Sequence, residues 1–119
     1  MGRVRRSLRR LTESDEARLA DEIGAWAGKV PGAVRIVDAP LRAHVKIAGV
    51  IRRLTVFPMQ DNESLEAVVS DGTGEVVARF MGRRAIGGLG LGTRVVVDGV
   101  LTQQHETLQM MNPRLEFTT

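Results

Sequence analysis

The sequence lacks cysteine and tyrosine, and only four of its 119 residues are aromatic. Without cysteine, the chain cannot form disulfides, thiol nucleophiles or cysteine-ligated zinc sites. No apolar run approaches the ~20 residues that a membrane-spanning helix needs, so no membrane partner is expected. The arginine-rich start is followed by an acid-rich helical pattern, which does not match a secretory signal peptide. The expected location is therefore the cytoplasm.

Basic residues are concentrated at the start of the chain. Five of the seventeen basic residues are arginines within "MGRVRRSLRRL", so the rest of the chain holds twelve basic residues against fourteen acidic ones. We therefore predict a basic N-terminal tail over residues 1–11. Such a tail either binds phosphates non-specifically or is a disordered, charge-rich start, and the sequence favours neither interpretation.

The next segment, "TESDEARLADEIGAWAGK", predicts a helix. Thr12 or Ser14 is expected to cap it, and acidic residues follow at the positive end of its dipole. Leu19, Ile23 and Trp26 fall on one apolar stripe. Together with the connector "VPGAVRIVDAPL", this helix is expected to occupy residues 12–42.

From Ala43 onward the hydrophobic period changes to two. Five strands are predicted over residues 43–119, separated by turn signals, which is typical of a small β-barrel or sandwich. The segment "GRRAIGGLGLG" between strands three and four holds five glycines, so any helix there should be brief or absent. Asn112-Pro113 is expected to form a bulge or kink in the last strand.

Two glycine-rich loops invite comparison with phosphate-binding loops. A phosphate cradle usually stands at the start of a helix, but strand-like residues follow both "SDGTG" and "GGLGLGT". In the second loop, Thr93 also stands where a P-loop needs lysine. We therefore interpret both loops as turns, and the first as the turn of a β-hairpin.

A four-residue loop at Asp71–Gly74 fixes the register of that hairpin. The predicted pairs are Ser70–Glu75, Val69–Val76, Val68–Val77, Ala67–Ala78 and Glu66–Arg79. The inner face then holds Ala67, Val69, Val76, Ala78 and Phe80. The outer face holds Glu66, Val68, Val77, Arg79 and Met81.

The segments "VVSDGTGEVVARF", "LGTRVVVDGVL" and "LQMMNPRLEF" resemble the OB-fold wedge domain of the RecG branch-migration helicase. They also resemble the short stand-alone OB-fold nucleic-acid-binding proteins of high-GC bacteria. The resemblance implies an all-β, five-stranded OB-fold barrel, here with an N-terminal α-helix. It also implies that single-stranded or branched nucleic acid binds the outer face of strands one to three, beside the loops after strands one and four.

Arginines and one aromatic are the candidate contacts for nucleic acid, with DNA favoured over RNA. Phe57, expected in the loop after strand one, is the candidate stacking platform, because Phe80 and Phe117 are expected in the core and Trp26 in the helix stripe. The candidate phosphate-binding residues form a predicted basic track: Arg52, Arg53, Arg79, Arg83, Arg84 and Arg94. The alternative is that these arginines are ordinary solvated residues, partly paired with Glu66, Glu75 and Asp98.

The remaining polar residues favour a non-catalytic module without metal or cofactor. His44 and His105 have no neighbouring ligand cluster in the sequence, and no serine has an identifiable histidine partner. Gln103, Gln104 and His105 are expected in a turn that either touches bases or is merely polar. The alternative function is protein–protein interaction or oligomerisation. The helix should cover the barrel bottom or else the face that carries Val68 and Val77.

Overall fold

A computed structural model of the chain describes residues 2–58 and 63–118. Within these residues, no helix combines the length and apolar character needed to cross a membrane. An N-terminal helix is followed by a short 3-10 turn at Ile36–Asp38 and then by strands only. The elements are α1 (Gly2–Ala27), β1 (His44–Pro58), β2 (Glu63–Ser70), β3 (Glu75–Met81), β4 (Arg94–Gln104), β5 (Thr107–Met111) and β6 (Arg114–Phe117).

The strands form a closed sheet. They follow one another in space as β1, β2, β3, β5 and β4, and β4 pairs back onto β1. All pairs are antiparallel except β3 with β5, which is parallel. The predicted last strand is divided at Asn112-Pro113 into β5 and β6, which pair in turn with β4. The prediction of a five-stranded barrel with a kinked last strand is therefore confirmed.

The hairpin of β2 and β3 has the predicted register, from Ser70 opposite Glu75 to Glu66 opposite Arg79. Alternation along the two strands then directs one set of side chains into the barrel. All five residues predicted to be inward are buried, with Val69 and Val76 fully enclosed. The loop at 71–74 is a hairpin turn, as the sequence predicted.

Ile36, in the 3-10 turn of the connector, packs into the barrel core. Its side chain is 3% exposed and belongs to the same hydrophobic cluster as Val45, Ile47 and Leu101. The Asp71 carboxylate accepts a hydrogen bond from the Ile36 main-chain N–H. The connector, rather than the helix stripe, therefore supplies this core side chain.

The helix packs on the outside of the barrel. Ile23 is buried together with three strand residues whose side chains do not belong to the barrel core: Ala48, Val50 and Val96. Leu19, expected on the same buried stripe, is 42% exposed. The helix also begins at Gly2 rather than near Thr12, so the segment predicted as a tail is helical. That segment is rich in arginine and leucine, which are good helix formers.

Phe117 is the aromatic residue whose predicted burial is wrong. It pairs with Val95 at the end of β6 and remains 48% exposed, with its ring beside Gly88. Ile86 and Leu89, from the glycine-rich segment after β3, pack against the core. That segment contains no helix among the described residues, as its glycine content predicted.

Candidate nucleic-acid interface

The register of β1, β2, β3 and β5 places outward-pointing residues in three transverse rows, which we call the outer face. Cross-strand partners lie about 5 Å apart, so each row is continuous. The first row is Arg53, Val68, Val77 and Gln109; the second is Thr55, Glu66, Arg79 and Met111; the third is Phe57, Ser64, which is buried, and Met81.

An ion pair occupies the middle of the outer face. Arg79 Nη2 lies 2.5 Å from Glu66 Oε1, and the two side chains are 32% and 19% exposed. The cross-strand pairing of Glu66 with Arg79, foreseen from the hairpin register, is confirmed. Because Glu66 offsets the charge of Arg79, this pair presents much less positive potential to solvent than a free arginine would.

Phe57 lies within β1, opposite Ser64, rather than in the following loop as expected. Its side chain is 45% exposed. Met81 in the same row and Met111 in the next are 40% and 50% exposed, so the three side chains give this end of the outer face an apolar character. Met111 was not foreseen as an outer-face residue, because its position depends on the parallel pairing of β5 with β3.

Arg83 and Arg84 follow directly after β3, beside the third row. Arg84 Nε lies 3.0 Å from Glu63 Oε2, and Arg84 is 77% exposed. Arg83 is exposed and lines a cleft with Phe80 and Asn112. The two arginines therefore extend the outer face at its Met81 end.

Arg52 and Arg94 lie beside the helix α1 and not on the outer face. Arg52 is the extra residue of a β-bulge in β1, and it lines a cavity of about 430 Å³ together with Ile23 and Arg94. The Arg94 guanidinium stands 5.0 Å from the centroid of the Trp26 ring, a cation–π contact between β4 and the helix. The structure therefore does not place the six predicted arginines on one continuous track.

The residues predicted to touch bases from the turn between β4 and β5 are divided between the strand and the turn. Gln103 and Gln104 lie in β4 and not in the turn, and Gln104 Oε1 accepts a 3.4 Å hydrogen bond from Gln109 Nε2. The turn itself is His105-Glu106, and His105 has a φ of 57°. Among the described side chains, Asp98 pairs with His44. The loop after β1, residues 59–62, lies outside the described residues.

The described part of the chain contains no group of three or more His, Asp or Glu side chains arranged to hold a metal ion. No protein-family model matches the sequence. No curated protein matches it either.

Solved structures do match the fold. RecG bound to a three-way DNA junction aligns over 72% of this chain and 12% of the RecG chain, with a TM-score of 0.62 and 20% identity. The chain adopts an OB-fold. A chain from a replication protein A heterotrimer bound to ssDNA aligns with this OB-fold over 76% of its length and 68% of the other chain, with a TM-score of 0.53 and 16% identity. At these identities the likeness establishes the fold, and the function has to be argued from the surface.

Proposed function

We propose that this OB-fold is a non-catalytic module that binds single-stranded or branched DNA on its outer face. The observation that carries the proposal is the register of β1, β2 and β3, which gathers Arg53, Arg79 and Phe57 on one solvent-facing surface. These are the residue types that single-strand binding requires, namely cations for the backbone and an aromatic for a base.

Each element of the outer face has a physical role in this proposal. Arg53 and Arg79 neutralise phosphates, and Arg83 and Arg84 continue the cationic surface beyond Met81. Phe57 stacks against a base, a contact worth about 1–3 kcal/mol. Met81 and Met111 offer polarizable apolar surface that adapts to the flat faces of bases. Arg52 and Arg94 are not assigned a role, because they lie beside α1.

Structures of the same fold support the choice of ligand. RecG was solved on a three-way DNA junction, and the replication protein A heterotrimer on ssDNA. Both are DNA complexes, so DNA is preferred here to RNA. The present chain corresponds to only 12% of the RecG chain, so the proposal covers binding and not the activity of that whole protein.

A protein-interaction surface is the alternative, and a specific observation favours it. Glu66 and Glu63 offset two of the four arginines, which leaves an apolar patch of Phe57, Met81 and Met111 beside neutralised pairs. The two functions differ in their response to salt. Phosphate binding weakens steeply as salt is added, because counterions are released, whereas an apolar protein interface is much less sensitive.

Fluorescence anisotropy of labelled DNA at low and moderate salt tests the proposal. Single-stranded, duplex and forked DNA and single-stranded RNA are compared with the full chain and with a variant in which the five arginines of residues 1–11 are replaced by glutamine. We expect salt-sensitive binding of single-stranded or forked DNA by both proteins. Binding that disappears in the variant would assign the contact to the N-terminal segment and contradict the proposal. Binding by neither protein would favour the protein-interaction alternative.

A further inference from the structure

A cleft of about 320 Å³ opens beside the Met81 end of the outer face. Its lining residues are Phe80, Arg83, Ile86, Asn112, Pro113 and Leu115. Four of these six side chains are apolar, one is a cation and one is an amide. Sites for small planar ligands have this composition, with apolar walls and a few polar groups that fix orientation.

Asn112 connects the cleft to the outer face. Its main-chain N–H donates to the Arg79 carbonyl at 2.7 Å, and its Oδ1 accepts the Met81 main-chain N–H at 2.8 Å. Because a main-chain N–H needs an acceptor, the second bond fixes which end of the amide faces β3. The Nδ2 group, with two N–H donors, remains for another partner.

The backbone of Asn112 is held in an uncommon conformation. Its φ is 49°, in the left-handed region, where asparagine is tolerated better than most residues. Asn112 interrupts the pairing of β5 and β6 with β4 and is followed by the buried Pro113. The left-handed turn therefore places the Asn112 amide group beside the cleft.

The cleft lies at the end of β3, where the proposed DNA path leaves the outer face. Phe80 lines it, while Arg79 and Met81 on either side of Phe80 point to the outer face. Because side chains alternate, Phe80 lines the cleft from the inner side of β3, and a DNA strand that crosses Met81 reaches the cleft past the end of β3, where the exposed Arg83 and Asn112 line it. Arg83 also lines the cleft, where its guanidinium can meet the phosphate of a nucleotide whose base turns inward.

We propose that this cleft holds a single unpaired nucleobase turned out of the bound strand, with an Asn112 Nδ2 donor bonded to a carbonyl oxygen of the base. This inference rests on the proposed function, because the base must come from a strand on the outer face. Apolar walls contact the faces of the base and Asn112 meets its edge, which is how extruded bases are recognised. Bases that carry a carbonyl, such as thymine, are favoured over adenine.

The test uses an oligothymidine of about ten nucleotides in which an abasic site replaces each position in turn. An abasic site at one position should lower the affinity of the wild-type chain about tenfold more than an abasic site at any other position. Two variants should flatten this profile. Ile86→Phe fills the cleft, and Asn112→Asp keeps the acceptor for Met81 but removes the Nδ2 donors. Leu91→Phe, a similar enlargement at a residue that is 72% exposed and lines the helix-side cavity instead, should keep the sensitive position.

Each result has a distinct meaning. A wild-type profile that is flat, or a sensitive position that persists in both cleft variants, would overturn the base site while leaving DNA binding on the outer face intact. Failure of the wild-type chain to bind the unmodified strand would overturn the proposed function and this inference with it. Thermal unfolding of each variant shows that a flattened profile does not come from a misfolded barrel.

Discussion

The carboxylate of Asp71 joins the β2–β3 turn to Ile36, although the two residues are 35 positions apart. Its Oδ2 accepts the Ile36 main-chain N–H at 2.8 Å. Its Oδ1 accepts the main-chain N–H groups of Thr73 and Gly74 and the Thr73 hydroxyl. Asp71 and Ile36 are each 3% exposed, so the Ile36 N–H has little access to water as an alternative partner. One side chain therefore closes the turn and holds the connector against the barrel.

Asp71→Ala should lower the free energy of unfolding by about 3 kcal/mol, because hydrogen bonds to a charged acceptor are worth roughly 1.5–3 kcal/mol and the buried Ile36 N–H would be left without its acceptor. Urea unfolding measures this loss. Asp38→Ala is the control, because Asp38 makes an exposed ion pair with Arg35 and should change stability by less than about 0.5 kcal/mol. Equal effects of the two substitutions would contradict the role assigned to Asp71.

The β2–β3 hairpin shows which part of the fold could be predicted from sequence. A short glycine-rich loop between two alternating apolar segments permits few registers, and a shift by one residue would turn the apolar set toward solvent. The inward positions of Val69, Val76 and Phe80 and the pairing of Glu66 with Arg79 follow from that constraint alone.

The parts that could not be predicted depend on contacts distant in sequence. Ile36 lies in a connector without periodicity, and its place in the core depends on distant contacts that include the bond to Asp71. The pairing of Phe117 with the buried Val95 predicts an inward side chain, yet Phe117 is 48% exposed. Nothing in the sequence distinguishes Arg94 from the other strand arginines. Its cation–π contact with Trp26 depends on how the helix packs against the barrel.

Gly72→Ala should detach the helix from the hairpin turn. Gly72 has a φ of 87°, and a Cβ atom there would come within 2.4 Å of the Ala20 carbonyl oxygen in α1. Gly82→Ala is a matched control, because Gly82 has a φ of 76° with no heavy atom within 4 Å of the added Cβ. The control should cost about 1 kcal/mol from backbone strain, and Gly72→Ala clearly more. Urea unfolding and Trp26 fluorescence measure both effects, and equal losses would mean that the turn does not contact the helix.

Phe57→Ala should weaken binding of single-stranded DNA about tenfold, because it removes a stacking platform from the outer face. Phe117→Ala is the comparison, since Phe117 is 48% exposed against 45% for Phe57 but lies beside Gly88, away from the outer face. Anisotropy titrations at one salt concentration give the ratio. If both substitutions weaken binding equally, stacking on Phe57 is not the source of affinity.

Arg53→Gln should reduce the slope of log affinity against log salt by about one unit, because one phosphate contact is lost. Arg94→Gln should leave that slope unchanged, since the Arg94 guanidinium lies over Trp26 on the helix side of the barrel. Titrations at four or more salt concentrations determine both slopes. A reduced slope for Arg94→Gln alone would move the DNA path from the outer face to the helix side.

Glu66→Gln should strengthen DNA binding, because the outer face then keeps the charge of Arg79 without its partner. Glu66 is 19% exposed and lies 2.5 Å from Arg79, so its carboxylate opposes any phosphate that approaches this arginine. We expect a gain of about three- to tenfold at low salt and a salt slope steeper by up to one unit.

The control for Glu66→Gln is Glu75→Gln, which removes the same charge at the hairpin end of β3, opposite Ser70. A general change in net charge would raise affinity equally in both variants, whereas a path across the outer face makes the effect at Glu66 larger. Loss of the ion pair should lower the free energy of unfolding by about 1 kcal/mol at most. Tighter binding by a less stable protein would show that Glu66 restrains a DNA site, whereas unchanged binding would favour a protein partner on this surface.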